Sequence, residues 1–486
     1  MKTIFNISLL TIVLIFISCD RSQKSEIPPN VILIISDQWS TKVSDGSGNY
    51  DNGIETPSLD YLASEGIRFT ESYSTYPLCT PARASLFTGL YSHNNDVGFN
   101  LRRDSILNQA EVIPTLGKSF KMAGYDVAYF GKEHAGGYGY ASATEFGSMT
   151  HSNGGMLAEG SAYDPIFTQD AAQYIKNKEG DKPFFMTLSL INPHDICRVL
   201  GGKVAGATFA DAIHFARTDD EPYLRFQPRP DLPENHNVSY EKGMILHEDF
   251  MYKETFSLDT DQWKRFISTY QLLIENTDKN IGQLLESIEQ KGIKENTIVL
   301  FTTDHGEMAG SHKLIAKTTF YEESSKTPVI IRYPKMINPK SINNNALVGT
   351  IDIMPTLLDL AGVTIPSGID GRSFKNEILN PNSDTNFDVL FSQNQFGRMV
   401  RYENYKYVRS VVYGLTYEIL YDIKNDPLES KNLVNIEEFK NSLDKGRELL
   451  DNWLKTENTV LVTVSYTHLR AHETRGNLVC RRLLEK

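Results

Sequence analysis

Residues 31–35 (VILII) form an unbroken apolar run, the pattern of a strand buried on both faces of a parallel sheet. A second run, FFMTLSL within 183–190, leads into Asn192-Pro193-His194-Asp195, and a third at 297–302 runs straight into Asp304-His305-Gly306-Glu307. Residues 126–130 and 328–332 read as further strands. Helical periodicity fills the intervals. Thr56-Pro57-Ser58 opens a helix over 56–65, with threonine at the cap and proline in the first turn. Residues 113–123 and 352–361 are helical, the latter ending at Gly362. The clearest helix is 266–288, where Phe266, Tyr270, Leu273, Ile274, Ile281, Leu284, Leu285 and Ile288 share one face. Residues 79–90 read as a loop entering a helix at Pro81, and 198–256 as a long irregular insertion of the kind that shapes pockets.

Strands alternating with helices from 31 to 361 predict an α/β fold, a large mainly parallel sheet sandwiched by helices. In such sheets ligands bind beyond the carboxyl ends of the strands. Asp37, Asn192, His194, Asp304 and His305 all fall at such ends. From about 388 the pattern changes to short strands (VLFSQ, MVRYENYKYVRSV, YEILYDI) and a helix over 436–454, a smaller C-terminal antiparallel α+β subdomain. The expected division is a main domain over 30–380, the subdomain over 381–457, and a tail over 458–486.

At 486 residues the chain exceeds what one hydrophobic core usually serves, and 40% hydrophobic with 23% charged residues is ordinary globular composition. The net charge of −12 argues against a nucleic-acid partner, but leaves room for a local basic pocket facing an anion. MKTIFNISLLTIVLIFISC has signal-peptide architecture over 1–19, and its small residue before Cys19 resembles a bacterial lipoprotein box. The expectation is an exported cell-envelope lipoprotein, periplasmic or outer-membrane associated. It would touch membrane only through a lipid on Cys19, with 20–29 as a tether. Cys19, Cys79, Cys197 and Cys480 are too few for a disulfide framework. The tail carries Arg470, Arg475, Arg481 and Arg482 without apolar period and reads as non-native sequence, the alternative being a basic exposed tail. No role falls to Cys480.

Leu78-Cys79-Thr80-Pro81-Ala82-Arg83 fits C-x-P-x-R, a nucleophile at a helix start beside unpaired N–H groups that suit an anion. Alone, such a cysteine is more often a buried thiol. This segment, continued by ASLFTGLYSHN, resembles the signature of the sulfatases of the alkaline phosphatase superfamily. Further resemblance lies in Gly131-Lys132-Glu133-His134, Asn192-Pro193-His194, Lys317, TPSLDYLASEGIRFTESY, IDIMPTLLDLAGV and LYDIKNDPLESKNLV. It implies sulfate ester hydrolysis through formylglycine (3-oxoalanine) made from Cys79 by a maturation enzyme. It also implies calcium held by Asp37, Gln38, residue 79, Asp304 and His305. Gln38 departs from the commoner aspartate, which puts its own ligation in question.

The implied mechanism hydrates the aldehyde to a diol held by calcium and Arg83, one hydroxyl of which attacks sulfur. Lys132 and Lys317 neutralise the sulfuryl oxygens. His194, with Lys317, protonates the leaving alcohol, and His134 takes the second hydroxyl's proton to expel sulfate. An exported protein of this kind suggests a sulfated saccharide substrate. Two alternatives stand beside it: a phosphonate or phosphate ester hydrolase of the same superfamily, and a non-catalytic glycan-binding surface protein. His93 and Cys197 read as pocket-wall residues without chemical roles.

Overall fold

The computed structural model describes residues 27–48, 53–98, 113–139, 145–150, 160–198, 230–245 and 258–455. The signal peptide with Cys19, most of the tether, most of the 198–256 insertion and the tail with Cys480 lie outside the described residues.

The main sheet has eight strands among the described residues: β1 (Asn30–Asp37), β2 (Ile67–Phe69), β3 (Asp126–Lys132), β4 (Glu145–Thr150), β5 (Phe184–Pro193), β6 (Thr297–Thr303), β7 (Val329–Arg332) and β8 (Ser341–Asn343). Their spatial order is β4-β3-β5-β1-β6-β7-β2-β8. β1 lies between β5 and β6, parallel to both, and β3 and β4 continue the parallel run. Only β7 runs against its neighbours β6 and β2. The mainly parallel sheet read from the apolar runs is therefore present.

Alternation explains why those runs are unbroken. Ile32 and Ile34 join one core with Met186, Leu188, Val299 and Phe301, while Val31, Leu33 and Ile35 join the other with Phe185, Ile298 and Leu300. Helices cover each face. On the first lie α4 (Gly160–Asn177) and α5 (Thr260–Lys291); on the second lie α2 (Cys79–Thr88), α3 (Leu116–Met122) and α6 (Ile353–Leu360). α1 (Pro57–Ser64) packs on α5.

α5 extends beyond the expected 266–288 because both ends are capped. Asp259 and Gln262 form a capping box, and Gly292 takes the left-handed conformation at φ 71°. α4 was not legible. Its buried apolar stripe is only Phe167, Ala171 and Ile175, and Pro165 reads as a helix breaker. α2 begins at Cys79 rather than Pro81, with extended Leu78 as its N-cap. Cys79 thus occupies the first helical position.

The C-terminal subdomain is a four-stranded antiparallel sheet: β9 (Val389–Gln393), β10 (Gly397–Tyr402), β11 (Tyr405–Val412) and β12 (Leu415–Asp422). α7 (Lys440–Leu454) lies against it through Leu443, Leu450 and Trp453. The stretch read as one strand over 399–411 is a hairpin. It reverses at Glu403-Asn404, where Glu403 takes φ 48° and Tyr402 pairs with Tyr405.

Candidate active site

Four adjacent parallel strands deliver side chains to one edge of the sheet. Asp37 ends β1, Lys132 ends β3, His194 follows β5, and Asp304 with His305 follows β6. Register aligns these ends, since Ile35 pairs with Ser189 and Ser36 with Thr303. Gly131 lets β3 approach this closely: at φ 100°, a Cβ there would lie 2.0 Å from the Ser189 carbonyl oxygen.

α2 points its first turn at this edge. Cys79 Sγ lies 3.2 Å from His305 Nε2 and 3.8 Å from Asp37 Oδ1. His305 Nδ1 is 2.9 Å from the Gly306 carbonyl oxygen, an acceptor, so Nδ1 carries the proton and Nε2 offers its lone pair. One ligand atom from each of Asp37, Cys79, Asp304 and His305 lies within 4.8 Å of the others, all buried.

Arg83, one turn along α2, stands behind these ligands. Nε donates to Asp304 Oδ2 at 2.7 Å, one terminal nitrogen to Asp37 Oδ2 at 3.0 Å, and the other to Ser189 Oγ at 2.7 Å. Every guanidinium nitrogen therefore serves a protein oxygen, and its role is to fix the two aspartates. Lys132 Nζ completes the clamp at 2.7 Å from Asp37 Oδ2.

The other expected residues converge here too. His194 Nε2 is 4.0 Å from Asp37 Oδ1, and His134 hydrogen-bonds Cys79. Among the described residues neither His134 Nδ1 nor His194 Nδ1 has a hydrogen-bond partner. Lys317 Nζ donates to Gln38 Oε1, and Gln38 Nε2 to Glu307. Gln38 itself sits at φ 71° with its N–H 3.1 Å from Asp304 Oδ1. Cys197 Sγ touches the Gln38 amide at 3.3 Å. His93 stacks instead on Tyr91, with Nδ1 2.8 Å from Gln393 Oε1 and Trp453 against its edge.

Charge is balanced by these contacts. Burial pulls the Asp37 carboxyl up, yet the cations beside it, Lys132 and Arg83, outweigh it and hold the group well below the carboxylate range. Burial and Asp37 push the Cys79 thiol up, but Lys317 and Lys132 hold it well below the usual range. Burial, with Lys317 and Lys132, presses His194 down to about 3, so its imidazole is uncharged. Burial likewise lowers His134.

Sequence reasoning missed the supports. Asp164 on α4 accepts N–H from Ile191 (2.7 Å) and Asn192 (2.9 Å), while Asp195 accepts from Gly160 (3.1 Å) and Ser161 (2.8 Å) at the start of α4. Without α4 in view, neither aspartate had a visible partner. Asp195 does sit one residue past His194, a signal that could have flagged it.

Residues 29–363 match the sulfatase family, and 310–455 match the C-terminal region of N-sulphoglucosamine sulphohydrolase. An ulvan-active sulfatase of Formosa agariphila is 29% identical over 87% of this chain and 81% of its own length. A Delta 4,5-hexuronate-2-O-sulfatase of Bacteroides thetaiotaomicron is 27% identical over 90% and 91%. Among solved structures, a 2-O GAG sulfatase superposes with TM-score 0.75 at 27% identity, covering 88% of this chain and 92% of that one. With the sheet-edge cluster and Cys79 at its centre, these matches settle the assignment: the chain belongs to the sulfatase family, as a sulfuric ester hydrolase on the fold of the alkaline phosphatase superfamily.

Proposed function

We propose that the protein removes sulfate from a sulfated saccharide, using formylglycine made from Cys79 and a calcium ion. The carrying observation is the cluster of Asp37, Cys79, Asp304 and His305 within 4.8 Å, ringed by Lys132, Lys317, His134 and His194. The donor chemistry supports this cation once residue 79 is oxidised. With a thiol the set is mixed sulfur, nitrogen and oxygen; with formylglycine it becomes mainly oxygen, which suits a hard divalent ion. The Gln38 amide oxygen has a second lone pair beyond the one facing Lys317, and is the fifth donor in this reading.

Bound formylglycine, hydrated, supplies a nucleophilic hydroxyl and a second hydroxyl whose deprotonation lets sulfate leave; calcium supplies positive charge to the sulfuryl group. The chain's own side chains do the rest. Arg83 holds Asp37 and Asp304 in place. Lys132 and Lys317 balance charge on the sulfuryl oxygens. His194, with Lys317, delivers a proton to the leaving alcohol, the ester's negative charge favouring a protonated imidazole. His134 accepts the proton at residue 79.

A saccharide substrate is supported by the names of the relatives, which act on ulvan, hexuronate and glycosaminoglycan sulfates. Maturation requires a formylglycine-generating partner, and Cys19 would anchor the exported protein to the envelope by its lipid. Mass spectrometry of active enzyme is expected to show residue 79 as the aldehyde, and Cys79→Ala to fold without turnover. An active enzyme with an intact thiol refutes the reading. Parallel assay of matched aryl sulfate, phosphate and phosphonate esters separates it from the phosphonate alternative, before a panel of sulfated saccharides.

A further inference from the structure

Glu307 is fully buried and takes no part in the steps above. Its Oε1 accepts the backbone N–H of Ala309 at 3.2 Å and of Ala316 at 2.6 Å. Its Oε2 accepts from Gln38 Nε2, and Gln38 Oε1 accepts from Lys317 Nζ. An amide can be turned either way, and here its two neighbours choose. One end faces a carboxylate oxygen and the other an ammonium that can only donate, so the NH2 must face Glu307 and the C=O must face Lys317. The backbone leading to Lys317 is itself unusual. Ala309, Ala316 and Thr318 take φ 46°, 65° and 79°, conformations that non-glycine residues hold only when other contacts impose them. Glu307 supplies contacts at two of these three positions.

We infer that Glu307 is a positioning residue: it fixes the direction of the Gln38 carbonyl and the shape of the 309–316 loop, and through both sets where the Lys317 ammonium stands beside residue 79. The inference rests on the proposed role of Lys317 at the sulfuryl group. Its internal logic is one of polarity, and polarity can be reversed. In Glu307→Gln, the new Oε1 stays with the two backbone N–H groups, so its NH2 meets the NH2 of Gln38. Gln38 then turns, presents its NH2 to Lys317, and displaces the ammonium. In the double variant Gln38→Glu with Glu307→Gln, the new amide donates to the new carboxylate, whose other oxygen accepts Lys317. The pairing is restored with donor and acceptor exchanged.

The test is a double-variant cycle on full-length matured enzyme, read by kcat and KM for an aryl sulfate and by crystal structures of each form. Glu307→Gln is expected to lose on the order of 100-fold in kcat, the scale of a misplaced catalytic group, with KM little changed. Gln38→Glu alone, which sets two carboxylates face to face, is expected to lose comparably. The double variant is expected to return to within about tenfold of the parent, the size expected of strong coupling between contacting residues. In the structures the ammonium should leave residue 38 in Glu307→Gln and return in the double variant. A role in folding alone would lower the melting temperature of both single variants without rescue of kcat in the double. Full kcat in Glu307→Gln, or a double variant no better than the worse single one, overturns the inference. If Glu307→Gln does not fold, the double variant must fold and turn over, or the inference falls. If the parent, aldehyde at residue 79 verified, hydrolyses no sulfate ester, the proposed function fails, while the position of Lys317 in the variant structures still decides the role of Glu307.

Discussion

Lys406 on β11 joins the C-terminal sheet to the main domain, and its removal gives a quantitative test. Its Nζ lies 2.7 Å from Glu322 Oε1, 2.7 Å from Glu429 Oε1 and 2.7 Å from the Phe320 carbonyl, three residues beyond Lys317. Side-chain exposure is 0% for Lys406, 2% for Glu322 and 1% for Glu429, so solvent screens none of these pairs. Lys406→Met fills the same volume with no charge, which keeps a cavity from contributing. Two buried carboxylates would then face each other with one cation fewer, a loss worth about 3–5 kcal/mol when one partner of a buried pair is deleted. Lys326, 3.4 Å from Glu322, still compensates part of it, so the lower end, about 3 kcal/mol, is expected.

The pH dependence has a definite sign. In the native protein burial pulls Glu322 up, but Lys406, Lys326 and Arg401 outweigh it and hold it below the carboxylate range, so its contribution to stability is present above ~4.3 and lost as pH falls. Burial instead lifts Glu429 to about 7. Without Lys406 both groups shift upward. The native state then keeps protons that the unfolded chain has released, and stability falls as pH rises. The deficit of Lys406→Met should widen between pH 5 and pH 8. Urea unfolding followed by circular dichroism and tryptophan fluorescence measures it. A variant within about 0.5 kcal/mol of the parent at pH 8, the range of an ordinary surface substitution, would refute the reasoning. So would failure of Glu322→Gln and Glu429→Gln, added to Lys406→Met, to recover most of the loss.

Arg83→Lys keeps the charge but has three donors on one nitrogen in place of a planar fork; kcat/KM should fall about 100-fold by displacement of Asp37 and Asp304, and parental kinetics would contradict the clamp. Asp195→Ala removes the acceptor for the Gly160 and Ser161 N–H groups, so about 1 kcal/mol of stability should go, with a fall in kcat through His194; unfolding curves and kinetics that both match the parent would refute the link. Cys79 is 1% exposed at the buried start of α2, so a maturation enzyme should oxidise the unfolded chain or a peptide spanning 75–90 but not the folded thiol form; mass spectrometry showing conversion of folded protein would overturn this.

The parallel sheet was legible because its strands, buried on both faces, carry unbroken apolar runs such as residues 31–35, which few other structures require. The site was legible because the ends of these strands carry Asp37, His194, Asp304 and His305 within short recognisable segments. What escaped was contact between distant polar residues. Half of the α4 residues are exposed and its buried stripe holds only three apolar residues, so no period announced it. With it went the partners of Asp164 and Asp195. The hairpin at Glu403-Asn404 lacks glycine, and its strands merged into one apparent run. Nothing in the sequence tells that the Arg83 nitrogens meet Ser189 and two aspartates.

The pairing of β1 with β6 sets a timetable for biosynthesis. Cys79 and His305, side by side in the finished molecule, are 226 residues apart along the chain. At ribosomal speeds of about 5–20 residues per second, roughly 10–45 s separate the appearance of the thiol from the appearance of the imidazole that will lie against it. Throughout that interval the pocket cannot close over the cysteine, because the strand that leads into Asp304 has not been made. Chain order alone therefore keeps residue 79 open to a modifying enzyme, with no dedicated delay needed.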